Sequence, residues 1–255
     1  MYDLLELTRG RLAQIAPQAL ALLPVGSVEQ HGPHLPVGAD SIIVEAIARR
    51  AAAKASSEVP IVLCPVVSFG SSDHHLYWCA ASLSNETLIE VLSDIASSLH
   101  ASGFREILIL NSHGGNTEAA RIVTRKTPLK CPVVVGTCNY WDIAKVALER
   151  ETDLFKIGVK VPGHAGYFET SLMLALKPNL VDLDLLPPAR KDIPAEGTTG
   201  VYLQRPGNSV GMDGHSGDAH LADARRGGVY LDIITSEVAK ALVAFHAAAR
   251  GQAPV

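Results

Sequence analysis

The sequence has few features of secreted, membrane-bound or nucleic-acid-binding proteins. Its 255 residues include only four cysteines, and these lack the paired CxxC spacing of a zinc ribbon or redox site. No apolar run approaches the roughly 20 residues of a membrane span, and the N-terminus lacks the basic region and apolar core of a signal peptide. The formal net charge of −4, without a basic run, argues against nucleic-acid binding. We therefore expect a cytoplasmic protein with reduced, packed cysteines that acts on a small molecule and binds neither membranes nor nucleic acids.

Buried strands and helices alternate along the predicted chain. Apolar runs at 19–25, 61–67, 106–110 and 132–137 predict strands. Helical spacing appears at 41–55, 85–101, 117–126, 140–150, 167–176 and 229–249, and a loop rich in Gly and Pro is expected at 187–217. Because the strands are continuously apolar, they indicate a mostly parallel sheet covered on both faces. The prediction is one α/β domain over residues 1–255, with a three-layer αβα architecture.

A loop with four potential metal ligands follows the first predicted strand. It contains Glu29, His31, His34 and Asp40. In an extended backbone Glu29 and His31 project to the same side, whereas Gln30 points away. Carboxylate oxygens beside imidazole nitrogens suit a divalent metal such as zinc, manganese or cobalt. A single histidine in such a loop is more often a surface residue, so the prediction depends on ligands elsewhere in the chain.

Two later segments supply further candidates. Residues 111–116, NSHGGN, follow the third predicted strand and contain His113. Because ligands bind beyond the carboxyl ends of parallel strands, this loop and the EQHGPH loop at 29–34 can meet over one pocket. His164 and Glu169 follow in the second half of the chain. Taken singly, His113 is as well explained by a helix cap in a glycine turn, and Glu169 by a favourable charge at a helix N-terminus.

Together these motifs resemble those of the creatininase family of metal-dependent amidohydrolases. The similarity extends in family order from residue 23 to about residue 228. It includes residues 217–227, GDAHLADARRG, where Ala219 replaces the proline of the family's motif. The resemblance implies a creatininase-like fold and a homohexamer arranged as a trimer of dimers.

The resemblance also implies two divalent ions, Zn²⁺ and/or Mn²⁺, with Asp40 bridging them. Each ion would have two further ligands, which are Glu29 and His113 for one ion and His31 and Glu169 for the other. A water held between two such ions is acidic enough to attack near neutral pH. The implied chemistry is metal-assisted hydrolysis.

His164 is then placed as the general acid/base that moves a proton from the attacking water to the leaving nitrogen. Gly114 and Gly115 lack side chains, so backbone N–H groups there are expected to approach the substrate. His74 and His75, in the loop after the second predicted strand, are candidates for lining the pocket, with a solvated loop as the alternative. The sequence therefore predicts one proton-transfer residue and a set of substrate-binding residues around the metals.

Other polar residues are expected to support the loops. His34 is predicted to stabilise its loop from behind the metal ligands. Asn116 is predicted either to cap the following helix or to orient its loop.

Three positions bear on the substrate. Gly115 stands where creatininase has a glutamate, and Lys160 stands where it has one of two tryptophans that enclose a flat ring. Trp141 resembles the other tryptophan, although a core or subunit contact explains it equally well. The predicted reaction is hydrolysis of a C–N bond in a small cyclic or acyclic amide, such as a creatinine-like lactam. Other branches of the family act on formamides, short peptides or a cyclic polyol ketone.

Two rival functions remain open. Residues 207–211, GNSVG, match the G-x-S-x-G pattern and would make Ser209 the nucleophile of a serine esterase. The preceding proline and the following loop do not fit the strand and helix that this motif requires. The other rival is a metal-binding scaffold without turnover, for which His164 would have no use.

Overall fold

Five parallel strands form the centre of the part of the chain that the structure describes. The computed structural model describes residues 1–157, 159, 161–188 and 214–251. In chain order the strands are β1 (Tyr2–Asp3), β2 (Leu20–Val25), β3 (Ile61–Leu63), β4 (Glu106–Asn111) and β5 (Val134–Asn139). Their order in the sheet is β1-β3-β2-β4-β5, and every pairing is parallel. The predicted parallel sheet is confirmed.

Among the described residues, seven α-helices cover the two faces of the sheet. They are α1 (Arg9–Ile15), α2 (Ala39–Ala55), α3 (Asn85–Ala101), α4 (Thr117–Lys126), α5 (Tyr140–Glu151), α6 (Tyr167–Leu176) and α7 (Ala224–Ala249). Alternate β2 residues enter two separate apolar cores: Ala21 and Leu23 pack with α1, α3 and α4, whereas Leu20 and Leu22 pack with the other four helices. The αβα layering predicted from the sequence is therefore confirmed.

Several boundaries follow the local sequence signals. Helices α3 and α4 have the predicted bounds, and the Ser84 hydroxyl caps α3 by accepting a hydrogen bond from the Thr87 N–H. Gly103 follows α3 with a φ of +107°, a conformation that favours glycine. Both termini of α3 could thus be placed from sequence.

Other boundaries were wrong. Strand β1 and helix α1 were not predicted; α1 is short, contains Gly10 and begins after the capping residue Thr8. Strand β3 ends at Leu63, and α7 begins at Ala224, before the predicted residue 229. Asp40 lies in the first turn of α2 rather than in a loop. No side chain caps the start of α2, so the usual sequence signal was missing.

Other predictions have mixed outcomes. No helix among the described residues is long and apolar enough to cross a membrane. All four cysteines are free, but Cys79 is exposed, so the prediction that all of them are packed was wrong. Lys160, Ser209 and most of the predicted loop at 187–217 lie outside the described residues.

The strand order creates a crevice between β2 and β4. The chain leaves β2 toward β3 on one side of the sheet and leaves β4 toward β5 on the other. The loops after these two neighbouring strands therefore diverge, and ligands bind at such a switch point. Both predicted metal-binding loops begin there.

Helix α6 packs closely against α7. At Gly227 the two helices approach so closely that a Cβ atom would lie 1.8 Å from the carbonyl oxygen of Ser171. Nearby, the hydroxyl groups of Tyr167 and Tyr230 are 3.2 Å apart and share a hydrogen bond. Because α6 contains Glu169, this contact fixes the position of a candidate metal ligand.

Candidate metal centre

Five buried side chains from four segments converge at the crevice. Glu29 and His31 follow β2, Asp40 begins α2, His113 follows β4, and Glu169 lies in the first turn of α6. Each is at most 5% exposed. The structure therefore brings together all five ligands that the resemblance implied.

These side chains form two groups that share Asp40. Candidate ligand atoms of Glu29, Asp40 and His113 lie within 4.8 Å of one another, as do those of His31, Asp40 and Glu169. Asp40 Oδ1 is 3.5 Å from His31 Nε2, and Asp40 Oδ2 is 3.2 Å from His113 Nδ1. The two oxygens of one carboxylate thus face different histidines, as in a bridging ligand.

Main-chain oxygens orient both histidines toward Asp40. His31 Nδ1 is 3.1 Å from the carbonyl oxygen of Glu29, and His113 Nε2 is 2.9 Å from that of Ser71. A carbonyl oxygen only accepts, so these nitrogens carry hydrogen, and in the neutral rings His31 Nε2 and His113 Nδ1 are free to bind a cation. Histidine ligands of metals have this arrangement.

Buried polar atoms without partners indicate where cations would bind. Glu29 Oε1, His31 Nε2 and Asp40 Oδ2 are buried and have no hydrogen-bond partner within the described part of the chain. Buried polar atoms in proteins are nearly always paired. Carboxylate oxygens and imidazole nitrogens are ligands that suit zinc and manganese. The residues therefore fit two divalent ions.

The pKa values show how the chain balances these charges without metal. Burial raises the pKa of Glu169 to about 8. Burial opposes a charge on His31 and His113, but neighbouring carboxylates outweigh it and raise their pKa values to about 10 and about 9. Burial also opposes a charge on Asp40, yet these histidines hold its pKa below the usual range. Protons on the histidines supply positive charge that bound cations would otherwise supply.

A cavity of about 290 Å³ opens over these ligands, and most of the predicted substrate-binding residues line it. His74, His75, Gly114, Gly115 and His164 are among its lining residues. The structure thus places the candidate acid/base and four candidate substrate contacts around one space.

Trp141 is not part of the cavity lining among the described residues. It is 8% exposed and packs edge-on against Tyr140 in the core, with ring centroids 5.2 Å apart. The core position that was the alternative for Trp141 is therefore the one observed. Gly115 is also tightly packed, because a Cβ there would lie 2.2 Å from the carbonyl oxygen of Ser71.

His164 lies beside the metal ligands as a neutral imidazole. Its Nδ1 is 3.4 Å from Glu29 Oε1, and its ring is 4.5 Å from the ring of His31 and 4.4 Å from that of His75. Burial, reinforced by the charge of His31, lowers the pKa of His164 well below its ordinary value. A neutral imidazole can accept a proton, which the predicted role requires.

The supporting residues have defined partners. His34 is buried, and its Nε2 is 2.8 Å from the hydroxyl of Thr170, the neighbour of Glu169. The Asn116 carboxamide accepts from the Ser71 N–H and donates to the carbonyl oxygen of Gly26, without capping α4. Asn116 therefore joins loops, the second of its two predicted roles.

Two contacts of His164 were missed in the sequence. Gln30, expected to point away, has its carboxamide nitrogen 2.9 Å from His164 Nε2. Ser216 accepts a hydrogen bond from the His164 main-chain N–H through its hydroxyl and returns one from its own N–H to the His164 carbonyl oxygen. These partners are distant in sequence, and no local pattern marks them.

Known proteins match the chain over most of its length. Residues 6–242 match the family model described as Creatininase: Creatinine amidohydrolase. The chain belongs to the creatininase family. The predicted family and hydrolase class are confirmed by this match and by relatives that are named as an amidohydrolase and peptidases.

Curated relatives carry different activities in their names. A creatinine amidohydrolase of Pseudomonas putida is 31% identical over 68% of this chain and 72% of its own length. A mycofactocin precursor peptide peptidase of Mycobacterium tuberculosis is 30% identical over 67% of this chain and 63% of its own length. A 3-dehydro-scyllo-inosose hydrolase of Thermotoga maritima is 26% identical over 64% of this chain and 51% of its own length. Family membership alone therefore does not identify the substrate.

Solved creatininases share the fold. A structure titled "Creatininase Mn" has a TM-score of 0.76 and 27% identity, covering 94% of this chain and 96% of that one. A zinc–zinc form of a creatininase variant also gives a TM-score of 0.76, with 26% identity and the same coverage. Manganese and zinc were the two cofactor metals expected from the sequence.

Proposed function

We propose that this chain is a binuclear metal-dependent amidohydrolase that cleaves a C–N bond in a small cyclic or acyclic amide, such as a creatinine-like lactam. The supporting observation is the position of Asp40, whose two oxygens face His31 and His113 separately. In this proposal Asp40 would supply a ligand to each of two Zn²⁺ or Mn²⁺ ions, since it belongs to both ligand groups. The remaining ligands are Glu29 and His113 for one ion and His31 and Glu169 for the other.

The metals and the protein have distinct parts in the reaction. Two divalent ions held by these residues would supply an acidified water and polarise the bond under attack. His164 accepts the proton of that water at Nδ1, the nitrogen that faces the site, and delivers it to the leaving nitrogen. The Gln30 carbonyl oxygen, 2.9 Å from His164 Nε2, accepts the hydrogen on the opposite side of the ring. His164 thus stays in position while its charge changes.

The cavity provides hydrogen-bonding groups for a polar substrate. His74 and His75 project into it from the turn Asp73–His75. Gly114 has no atom within 4 Å of where its Cβ would be, so its backbone is open to a bound molecule. His74 and the backbone at Gly114 are proposed to hold the amide and its developing oxyanion, while His75 lines the same cavity.

Peptides, formamides and cyclic polyol ketones are the alternative substrates. The peptidase of M. tuberculosis is nearly as similar to this chain as the creatinine amidohydrolase. Trp141, for which a wall around a flat ring and a core position were equal alternatives, packs in the core. A ring ketone would change the cleaved bond from C–N to C–C.

Metal content and activity test the reaction class. We expect the purified protein to hold two divalent ions per chain, to lose activity with a chelator and to regain it with Zn²⁺ or Mn²⁺. Ser209→Ala is the control and should keep its activity. Activity that survives complete metal removal but is lost in Ser209→Ala would support the serine esterase instead.

A substrate panel identifies the branch of the family. The metal-loaded protein would be assayed with creatinine, other lactams, formamides, short peptides and cyclic polyol ketones. Turnover of amides alone supports the proposal. Turnover of a ring ketone alone would overturn C–N hydrolysis while leaving the metal centre intact.

Assembly and location are proposed from the resemblance and the cysteines. We expect a homohexamer, a trimer of dimers, which sedimentation would test; a monomer would contradict it. Because all four cysteines are free, we place the protein in the reducing cytoplasm.

A further inference from the structure

Gln30 contacts two imidazoles that flank the metal centre. It is 7% exposed and lies between the candidate ligands Glu29 and His31 in sequence. Its carboxamide nitrogen Nε2 is 3.0 Å from His75 Nδ1 and 2.9 Å from His164 Nε2. An amide NH₂ group only donates, so its hydrogen-bond partner must be an imidazole nitrogen that carries no hydrogen.

The orientation of this carboxamide is determined by its other end. Gln30 Oε1 accepts a hydrogen bond of 2.9 Å from the main-chain N–H of Gly32. Turning the amide over would set its NH₂ group against that N–H, leaving two donors face to face. Gly214 closes over the same oxygen, since a Cβ there would lie 2.1 Å from it. The nitrogen of Gln30 therefore faces the imidazoles.

This orientation selects one tautomer of His75. Its Nδ1 accepts from Gln30, so the hydrogen of the neutral ring is on Nε2. His75 Nε2 lies 3.5 Å from Glu29 Oε1, a buried oxygen that has no hydrogen-bond partner in the described ranges. The N–H of His75 thus points at Glu29, and this ring is not available as a metal ligand there.

His164 differs from His75 in having two partners on the same nitrogen. Its Nε2 is 2.9 Å from the carboxamide nitrogen of Gln30 and also 2.9 Å from the main-chain oxygen of Gln30. A carbonyl oxygen only accepts, so the hydrogen of neutral His164 lies on Nε2 and is donated to the main-chain oxygen of Gln30. Nδ1, which faces the site, is then the nitrogen that exchanges a proton.

We propose that Gln30 is a positioning residue that gives these two stacked imidazoles different roles. Its carboxamide keeps the hydrogen of His75 on Nε2, which faces Glu29 Oε1. Its main-chain oxygen keeps the hydrogen of His164 on Nε2, so that Nδ1 can exchange a proton. His75 would thereby orient the Glu29 carboxylate, which the proposed function makes a metal ligand. The inference rests on the proposed function in one respect, namely that Glu29 binds a metal ion.

The tautomer of His75 is tested on the metal-free chain. Long-range ¹H–¹⁵N spectra of protein labelled at histidine should show His75 with hydrogen on Nε2 and a bare Nδ1. In Gln30→Glu the carboxylate accepts instead of donating, so the hydrogen should move to Nδ1. Gln14→Glu, the same change at an exposed position, should leave the spectrum of His75 unaltered. Hydrogen on Nδ1 in the unaltered protein would overturn the proposal, whatever its metal content.

Metal affinity tests the consequence for Glu29. In chelator competition, His75→Leu should weaken binding of one ion about 10- to 100-fold, the usual effect of removing a residue that orients a ligand. His75→Gln, whose amide N–H can still donate to Glu29, should retain most of that affinity. Equal affinities for the unaltered protein, His75→Leu and His75→Gln would contradict the proposed role. An unaltered protein that binds no metal would instead contradict the proposed function, without affecting the spectra.

Discussion

Two buried groups of carboxylates and histidines lie at opposite ends of β4. At the first residue of the strand, Glu106 Oε1 pairs with His246 Nδ1 and with Arg250 Nη2, the latter at 3.3 Å. Beyond the last residue, His113 joins the metal centre with three buried carboxylates. No lysine or arginine forms an ion pair with those three carboxylates in the part of the chain that the structure describes.

The difference shows when a buried carboxylate indicates a binding site. Arginine carries a permanent positive charge, so Glu106 is neutralised within the fold. At the other end of the strand, only protons or bound cations can balance Glu29, Asp40 and Glu169. Both groups are buried, but only the candidate metal centre lacks a lysine or arginine to balance its carboxylates among the described residues. This missing positive charge, rather than burial alone, indicates a metal-binding site.

The largest effect is expected from removing the shared charge of the metal centre. Asp40→Asn removes one negative charge from both ligand groups and should abolish binding of both ions. Because metal ions contribute several kcal/mol to such reactions, activity should fall about a thousandfold or more. Elemental analysis and turnover measure the two effects. An Asp40→Asn protein that still binds both ions would show that Asp40 does not bridge them.

A smaller loss is expected at His164. His164→Ala should lower kcat about 10²- to 10⁴-fold, the usual contribution of an acid/base residue, while both ions remain bound. Metal content and single-turnover rates would be measured on the same sample. His100→Ala, at a histidine outside the centre, is the matched control. Full turnover in His164→Ala would refute its assigned role.

At the opposite end of β4 we expect a loss of stability alone. Glu106→Gln breaks a buried ion pair whose partners are partly exposed and able to rehydrate, so the cost should be about 1–3 kcal/mol. For a chain of about this length that corresponds to a decrease in Tm of roughly 2–12 °C. Metal content and kcat should not change. A loss of bound metal in Glu106→Gln would abolish the proposed distinction between the two groups.

The smallest effect is expected in the pH dependence of the stability of the metal-free chain. Burial raises the pKa of Glu169 from 4.5 to about 8. Between these pH values the folded chain keeps a proton that the unfolded chain releases, so the free energy of unfolding falls as the pH rises. Despite its burial, His31 has a pKa raised from 6.5 to about 10. The stability that this shift adds is fully present below pH 6.5 and is lost as the pH rises toward about 10. Both shifts predict a lower Tm at about pH 9 than at about pH 6.

Bound metal should reverse this trend, because it requires ionised carboxylates and neutral histidines. The stabilisation by Zn²⁺ should therefore grow with pH, as measured by the difference in Tm with and without the ion. A metal-free Tm that rises between about pH 6 and about pH 9 would contradict the assigned charges.

The sequence revealed features that depend on local chemistry. Ser84 and Gly103 mark the ends of α3 through a cap and a left-handed turn, and both signals are contained within a few residues. The metal ligands were found because family motifs join residues that no local pattern connects. Periodicity alone would have left His31 as an ordinary loop histidine.

Tertiary contacts account for what the sequence did not reveal. Gln30 meets His75 and His164 at separations of 45 and 134 residues, so its role depends on how three loops pack. Trp141 is in the core because α5 turns it toward Tyr140, which spacing does not determine. Asp40 was assigned to a loop because α2 begins without a capping side chain.

Gly227 limits how this protein can be redesigned. Any side chain at this position would push α7 away from Ser171, in the helix that carries Glu169. A mutational library that varies the outer surface of α7 should therefore keep this glycine constant. Position 227 lies far from the metals in sequence, yet it is expected to tolerate substitution as poorly as a ligand does.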